Sequence, residues 1–272
     1  MRASFARAPS THAVFAQGLP KGARIARVDA RIAIRCADVK VGFVIPAYQA
    51  EKSVAAVVRG LFEALAHEGE PPLIVVVDDG STDDTSGAAR AAGAHVVRHS
   101  HNQGKGCALR TGFRALLEAG AGAAVCVDAD GQHPAEEAAR LASDPAPRSA
   151  LVLGVRDLVR DGAPPANIFS NRFSNRFLSF ALGRTLSDTQ CGLRRYPLPE
   201  TLELAGRAQG YGYEAELILR AARQGLPIVE RPVRVIYPPE SERVTHFHSV
   251  RDPARIVYRV LFTLATAPRQ RR

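Results

Sequence analysis

From Val41 onward the apolar positions fall into short continuous runs separated by stretches of helical spacing. The runs Val41–Ile45, Leu73–Val77, Ala94–Val97 and Ala123–Val127 predict buried strands, the first of them stopped by Pro46. Between the first two, Val54, Val57, Val58, Leu61, Phe62 and Leu65 share one face and predict an amphipathic helix over 51–67. An Ala-rich helix to about Ala92 and a helix over Lys105–Ala119 complete the alternation. Beyond Pro134 the pattern loosens. It predicts a strand at Ala150–Gly154, a helix over 166–182, a helix at Glu214–Arg223, a strand at Ile228–Ile236 and a last helix near 252–266. In that last helix Ile256, Val257, Val260, Leu261 and Leu264 oppose Arg251, Arg255 and Arg259. Phe169, Phe173 and Phe177 line one side of 166–182 and read as core packing ahead of a lipid groove.

Strands alternating with helices through short loops predict an α/β fold on a doubly wound, mainly parallel sheet flanked by helices. Such sheets bind ligands beyond the carboxyl ends of their strands. Tyr48, Asp78–Asp79 and Asp128–Asp130 each follow a predicted strand end, so three loops converge on one crevice. Residues 1–39, interrupted by Pro9, Gly18, Pro20 and Gly22, read as a basic, poorly ordered extension. The folded domain is expected at 40–250, followed by a basic amphipathic helix and tail at 251–272.

Charge sharpens this division. The net charge of +9 resolves into +6 over residues 1–40, +6 over 243–272 and −3 between them. Basic ends on an acidic middle do not describe a nucleic-acid groove. They suit contact with anionic head groups, or solubility alone. Cys36, Cys107, Cys126 and Cys191 form no CxxC pair, which excludes a zinc motif and a disulfide framework and points to a reduced, cytoplasmic setting. The N-terminal segment lacks the apolar stretch of a secretory signal, although its composition would pass for a transit peptide. No run reaches the roughly 18 apolar residues of a membrane span.

The chemistry concentrates in three segments. Asp128-Ala129-Asp130-Gly131-Gln132 sets two carboxylates one residue apart at a strand end. Oxygen ligands at that low count suit Mg²⁺ or Mn²⁺ shared with substrate phosphates, whereas the plain alternative is a solvated turn. In Asp78-Asp79-Gly80-Ser81-Thr82-Asp83-Asp84 the later carboxylates belong to a helix start, and Asp78 and Asp79 can accept from a base or ribose. His101-Asn102-Gln103-Gly104-Lys105-Gly106 matches neither the Walker nor the GxGxxG pattern, but Lys105 at a helix start can approach a phosphate.

IPAYQAE, VVVDDGSTDDT, NQGKGCALRTG and VDADGQHP, in this order, resemble the family 2 glycosyltransferases of the dolichol- or polyprenyl-phosphate sugar transferase branch. The resemblance runs from Val41 to about Ile256. It implies a GT-A fold with a Rossmann-like nucleotide-binding half, a nucleotide-sugar donor and a divalent metal. By the same resemblance Pro46, Ala47, Tyr48 and Asp79 fall at the base pocket, Asp128 at the nucleoside, and Asp130 with Gln132 at the metal. Gln49 stands where the family more often has Asn. Gly154-Val155-Arg156 is similar to an acceptor-phosphate segment whose middle residue is usually small and polar, and Ser170-Asn171-Arg172 to a second such element. Asp188 to Arg194 resembles a motif of the catalytic cleft. Arg243 to Phe247 resembles a segment near the donor pyrophosphate, with His246 on a loop that closes over it.

What this implies is an inverting transferase moving a sugar from a UDP- or GDP-linked donor to polyprenyl or dolichyl phosphate. A phosphate acceptor is already an anion and needs positioning by arginine forks, here Arg156 and Arg172. A hydroxyl acceptor, sugar or lipid, would instead need a general base, with Asp188 first, then Glu214 or Glu216. A non-catalytic nucleotide-binding protein is the reading from another class. His246 and His248 lack a third ligand for a metal of their own. The expected partners are the nucleotide sugar, the lipid acceptor and, through 251–272, the cytoplasmic membrane surface. Oligomeric state is left open.

Overall fold

A computed structural model describes residues 40–67, 70–210, 212–237 and 262–263. The expected basic extension, Arg243, His246, His248 and most of the expected last helix therefore lie outside the described residues.

Strand β1 (Val41–Ala47) turns successive side chains to opposite faces of a sheet: Val44 points to one core, Phe43 and Ile45 to the other. The chain then alternates as the apolar pattern demands. It runs through α1 (Val54–Ala64), β2 (Leu73–Asp78), α2 (Thr85–Ala91), β3 (His95–Arg98), α3 (Lys105–Glu118) and β4 (Ala123–Cys126). Next come α4 (Ala135–Ala142), β5 (Leu151–Val155), α5 (Pro165–Leu182) and β6 (Arg194–Pro197). After these follow α6 (Leu198–Glu203), α7 (Gly212–Arg223) and β7 (Ile228–Pro232). Among the described residues the strands form one seven-stranded sheet in the order β3-β2-β1-β4-β6-β5-β7. Val75, Val77, Leu109, Phe113, Leu116, Leu217 and Ile218 fill the core on one face. Val54, Val58, Leu61, Val76, Val125, Val127 and Leu141 fill the other. Both faces are covered, as a doubly wound sheet requires.

Two strands depart from the sequence expectation. Pro46 does not stop β1: pairing with β2 continues through Pro46↔Val77 to Ala47↔Asp78. Pairing with β4 has already ended at Val44↔Cys126, so the missing N–H of Pro46 removes no bond from that ladder. The second is β6, an antiparallel strand between β4 and β5 with the unpromising sequence Arg-Arg-Tyr-Pro. Both arginines are fully buried. They reach carbonyls: Arg195 donates to those of Asp144 (2.8 Å) and Ala146 (2.9 Å), Arg194 to those of Cys191 (2.7 Å) and Thr189 (2.8 Å). With most of its N–H groups bonded this way, although Arg195 Nε finds no partner, a cation can occupy a strand that polarity would exclude.

The expected helix over 166–182 forms as α5, but not with the expected face inward. Phe169, Phe173 and Phe180 are exposed, while Ser170, Asn171 and Ser174 are buried. The reading of Phe169 and Phe173 as core is corrected; Phe177 alone of the three packs against the core.

Candidate active site

The loops after β1, β2 and β4 meet above the sheet, and the polar residues that open them bind each other first. Gln49 takes a positive φ of 53°, a conformation that costs a side chain with Cβ roughly 1–2 kcal/mol and that Asn adopts more readily. Gln49 is held there by the next loop. Its amide N–H donates to Ser81 Oγ (3.0 Å), its Nε2 to Thr82 Oγ1 (2.8 Å), and its Oε1 accepts from the amides of Thr82 and Asp83. Ala47 accepts from the Asp79 amide (2.8 Å), which fixes the Pro46-Ala47-Tyr48 corner against the end of β2.

Asp78 and Asp79 divide their work. Burial pushes the Asp78 carboxyl upward, but hydrogen bonds from Ser81 and Ser86 outweigh it and hold the group below the usual range. Asp78 thus braces its own turn. Asp79 reaches across to the next loop, accepting from the amides of Gln103 (2.9 Å) and Gly104 (2.7 Å) and pairing with His99 Nδ1 (2.7 Å). His99 in turn meets Thr111 Oγ1 at 2.9 Å. These bonds set the stem of the loop that ends in Lys105. Sequence reading passed over His99, although a polar residue just past a strand end was the available signal.

Lys105 is the centre of the second group. Its Nζ lies 2.7 Å from Asp128 and 3.2 Å from Glu214, with little of any of the three open to solvent. Burial works against the ammonium, yet Asp128 and Glu214 keep it charged well above its ordinary range. Reciprocally, burial raises Asp128 and Lys105 more than compensates, so the carboxylate stays ionised. The glycines beside Lys105 serve close approach. Gly104 has φ +92° and abuts the Gln209 carbonyl, and the Gly106 amide donates to that carbonyl at 2.5 Å.

Asp130 stands at the open side of the same turn, its Oδ1 accepting from the Gln132 amide at 2.9 Å. The surrounding protein and the neighbouring Asp128 push its carboxyl up to about 6. Among the described residues no group of three His, Cys, Asp or Glu could cage a metal. The donor set therefore fits a hard divalent cation that takes one or two carboxylates and completes its shell with phosphate and water. Asp130 has an oxygen to spare for it, whereas Asp128 is engaged with Lys105. His133, buried behind this turn, is pushed down to about 4, chiefly by burial, and is neutral at physiological pH.

The third group is organised by Asp188, only 1% exposed. Its carboxylate accepts from Arg156 Nε (2.7 Å), Arg156 Nη2 (3.1 Å), the Arg156 amide (3.2 Å) and Asn171 Nδ2 (2.6 Å). The amides of Gln190 and Cys191 complete the set, both at 3.1 Å. Burial would raise this carboxyl, and Arg156 with the other donors holds it lowered. Every acceptor direction is taken. Asn171 joins the group, but Arg172 does not: one residue further round α5, it lies on the exposed face and makes no hydrogen bond or ion pair among the described residues. Arg194 donates to carbonyls and is no partner of Asp188. Glu216 accepts from the Arg207 and Ala208 amides and from Arg220, which makes it part of the scaffold.

Gly192 joins the two halves. A Cβ there would overlap the Asp128 carboxylate, so the segment following Asp188 forms the wall behind Asp128. Its φ is not positive, so space alone demands glycine. Gly192→Ala is expected to displace Asp128 from Lys105, weakening nucleoside diphosphate binding by about tenfold and stability by about 1–3 kcal/mol. Calorimetric titration and urea denaturation measure the two effects.

Residues 43–199 match the family described as glycosyl transferase family 2. The chain belongs to that family. Family relatives include an uncharacterised protein of Methanocaldococcus jannaschii, 31% identical over 71% of this chain and 80% of that one. The undecaprenyl-phosphate mannosyltransferase of Micrococcus luteus is 32% identical over 71% of this chain and 82% of its own. Glucosyl-3-phosphoglycerate synthase from Mycobacterium tuberculosis, solved with Mn²⁺, UDP and phosphoglyceric acid, superposes with a TM-score of 0.59. That match covers 85% of this chain and 80% of the other, at 24% identity. This glycosyltransferase is a GT-A α/β protein, with the candidate site at the carboxyl ends of β1, β2 and β4, where open α/β sheets bind ligands.

Proposed function

We propose that this glycosyltransferase transfers a sugar from a UDP- or GDP-linked donor to polyprenyl or dolichyl phosphate, inverting the anomeric centre. The observation that carries this reading is the Arg156–Asp188 pair. Nε and Nη2 of Arg156 are spent on the buried carboxylate, and Nη1 makes no hydrogen bond among the described residues. A guanidinium so fixed offers its remaining N–H groups to an incoming anion without losing orientation. Of the three base candidates, all among the described residues, Asp188 is saturated, Glu216 is structural, and Glu214 is held beside Lys105 through Oε2 with only its buried Oε1 unbonded. That arrangement suits an acceptor that arrives ionised, and it disfavours the hydroxyl-acceptor reading.

In the proposed reaction an acceptor phosphate oxygen attacks the anomeric carbon, and the bond from that carbon to the nucleoside diphosphate oxygen breaks. Pro46, Ala47 and Tyr48, with Asp79 acting through the loop it holds, shape the base pocket; Asp128 and Lys105 meet the nucleotide. Arg243 and His246 are proposed near the donor diphosphate. Asp130 with Gln132 would hold Mg²⁺ or Mn²⁺, whose charge stabilises the departing diphosphate. Arg156 positions the acceptor, with Arg172 at the approach. Among the described residues no helix is long and apolar enough to cross a membrane; action at the cytoplasmic face is part of the proposal.

A panel of UDP- and GDP-sugars with polyprenyl phosphate, with and without Mn²⁺, tests this by label appearing in the lipid phase. Arg156→Lys keeps the charge and loses the fork, so the KM for lipid phosphate should rise about tenfold with the donor KM unchanged. Transfer only to hydroxyl acceptors, or no transfer to any, would overturn the reading.

A further inference from the structure

Helix α5 contains a tandem repeat, Ser170-Asn171-Arg172-Phe173 followed by Ser174-Asn175-Arg176-Phe177. A period of four on a helix of 3.6 residues per turn stacks like on like with a slow drift. The Ser and Asn rows turn inward, where Ser170 meets Gln190, Asn171 meets Asp188, and Ser174 and Asn175 meet Thr189. That commitment turns Phe173, Arg172 and Arg176 outward, while the drift carries Phe177 round to the core. Phe169 is 75% exposed, Phe173 50% and Phe180 88%, with Arg172 and Arg176 also exposed. At about 100° per residue these five side chains fall within an arc of roughly 100°, and Phe169 to Phe180 spans about 16 Å along the axis.

We infer that this outer face of α5 is a docking surface for an anionic lipid bilayer. Large aromatics left in water on one stripe mark an interaction site. The 18 residues of α5 contain two arginines and no Asp or Glu, so the charge of this face complements an anionic surface. Aromatic rings at the acyl boundary with guanidinium groups reaching the head groups are how an interfacial helix binds. The buried face of the same helix carries Asn171, which holds Asp188 and through it Arg156, so a docked α5 sets the acceptor side of the site at the lipid surface. The surface is inferred from exposure and charge and does not depend on the identity of the acceptor.

Sedimentation with phosphatidylcholine vesicles, with and without phosphatidylglycerol and free of polyprenyl phosphate, tests it. The full chain is expected to bind the anionic vesicles, and Phe169→Ser/Phe173→Ser/Phe180→Ser to lower the partition coefficient about tenfold or more. Arg176→Glu should weaken binding only to the anionic vesicles, an effect that added salt reduces. Should the triple variant fold poorly, Arg176→Glu alone decides. No binding by the full chain, or unchanged binding by these variants, would overturn the inference. So would a change in oligomeric state on removing the phenylalanines, which would mean that a second copy covers the stripe. Absence of polyprenyl-phosphate transfer would leave vesicle binding intact, so the two proposals fail separately.

Discussion

Asp188→Ala is expected to destabilise the fold by about 3–5 kcal/mol, the cost of leaving a buried charge without its partner. Six donors converge on that carboxylate, three of them from Arg156, and its removal strands a guanidinium that is itself largely buried. Against the 5–15 kcal/mol of a typical domain this is a large share. Asp188→Asn should be little better, because an amide NH₂ would face the donors of Arg156. Transfer should be lost in both variants, since Arg156 no longer has a fixed direction. The pH dependence follows from the sign of the shift. The folded carboxyl is lowered from 3.8, so its stabilisation is complete above that value and fades as pH falls through the lower folded one. Urea denaturation at neutral pH measures the loss. Replacing Arg156 by Met as well should recover part of it, because the double variant buries no unpaired charge. A loss below about 1 kcal/mol would mean that the pair is not the keystone it is taken to be.

How much of this was legible in the sequence differs by element. The alternation from Val41 to Cys126 placed four strands and three helices because one apolar period dominates each segment, and tertiary packing agrees with it. The convergence of Tyr48, Asp79 and Asp128 followed from strand ends alone. β6 was hidden because its burial rests on carbonyls from other segments, which no periodicity records. The repeat in α5 shows that periodicity reveals two stripes without saying which one faces the protein. Phe was the natural choice for the inside, and the partners that reversed it, Asp188 and Thr189, lie 15 or more residues further on. The pairing of Arg156 with Asp188 was equally out of reach, although both were singled out. Two residues 32 apart come together only once β5 and the segment before β6 are in place.

Asp130→Asn is expected to separate chemistry from folding. The only hydrogen bond Asp130 makes among the described residues is accepted at Oδ1 from the Gln132 amide, and an asparagine oxygen can accept the same bond. Stability at neutral pH should therefore stay within about 0.5 kcal/mol or improve slightly. The improvement has a defined sign. The wild-type carboxyl rises from 3.8 to about 6 in the fold, so the folded state holds its proton more tightly than the unfolded chain does. Stability of the metal-free protein then falls as pH rises between those values and remains at the lower level above them. Solvent contact at Asp130 keeps the change small. Asn carries no proton, so the variant should lack the fall. Added Mn²⁺ should raise the melting temperature of the wild type at pH 7.5 and do so much less at pH 5, where the carboxyl is protonated. In the variant the metal should have little effect at either pH. Transfer should drop on the order of 10²–10³-fold, the rate equivalent of the several kcal/mol that a cation supplies at a leaving diphosphate. Thermal melts and initial rates across pH test the two halves independently. Full Mn²⁺ stabilisation in Asp130→Asn would move the metal to Asp128, and would then require Lys105 to release that carboxylate when the donor binds.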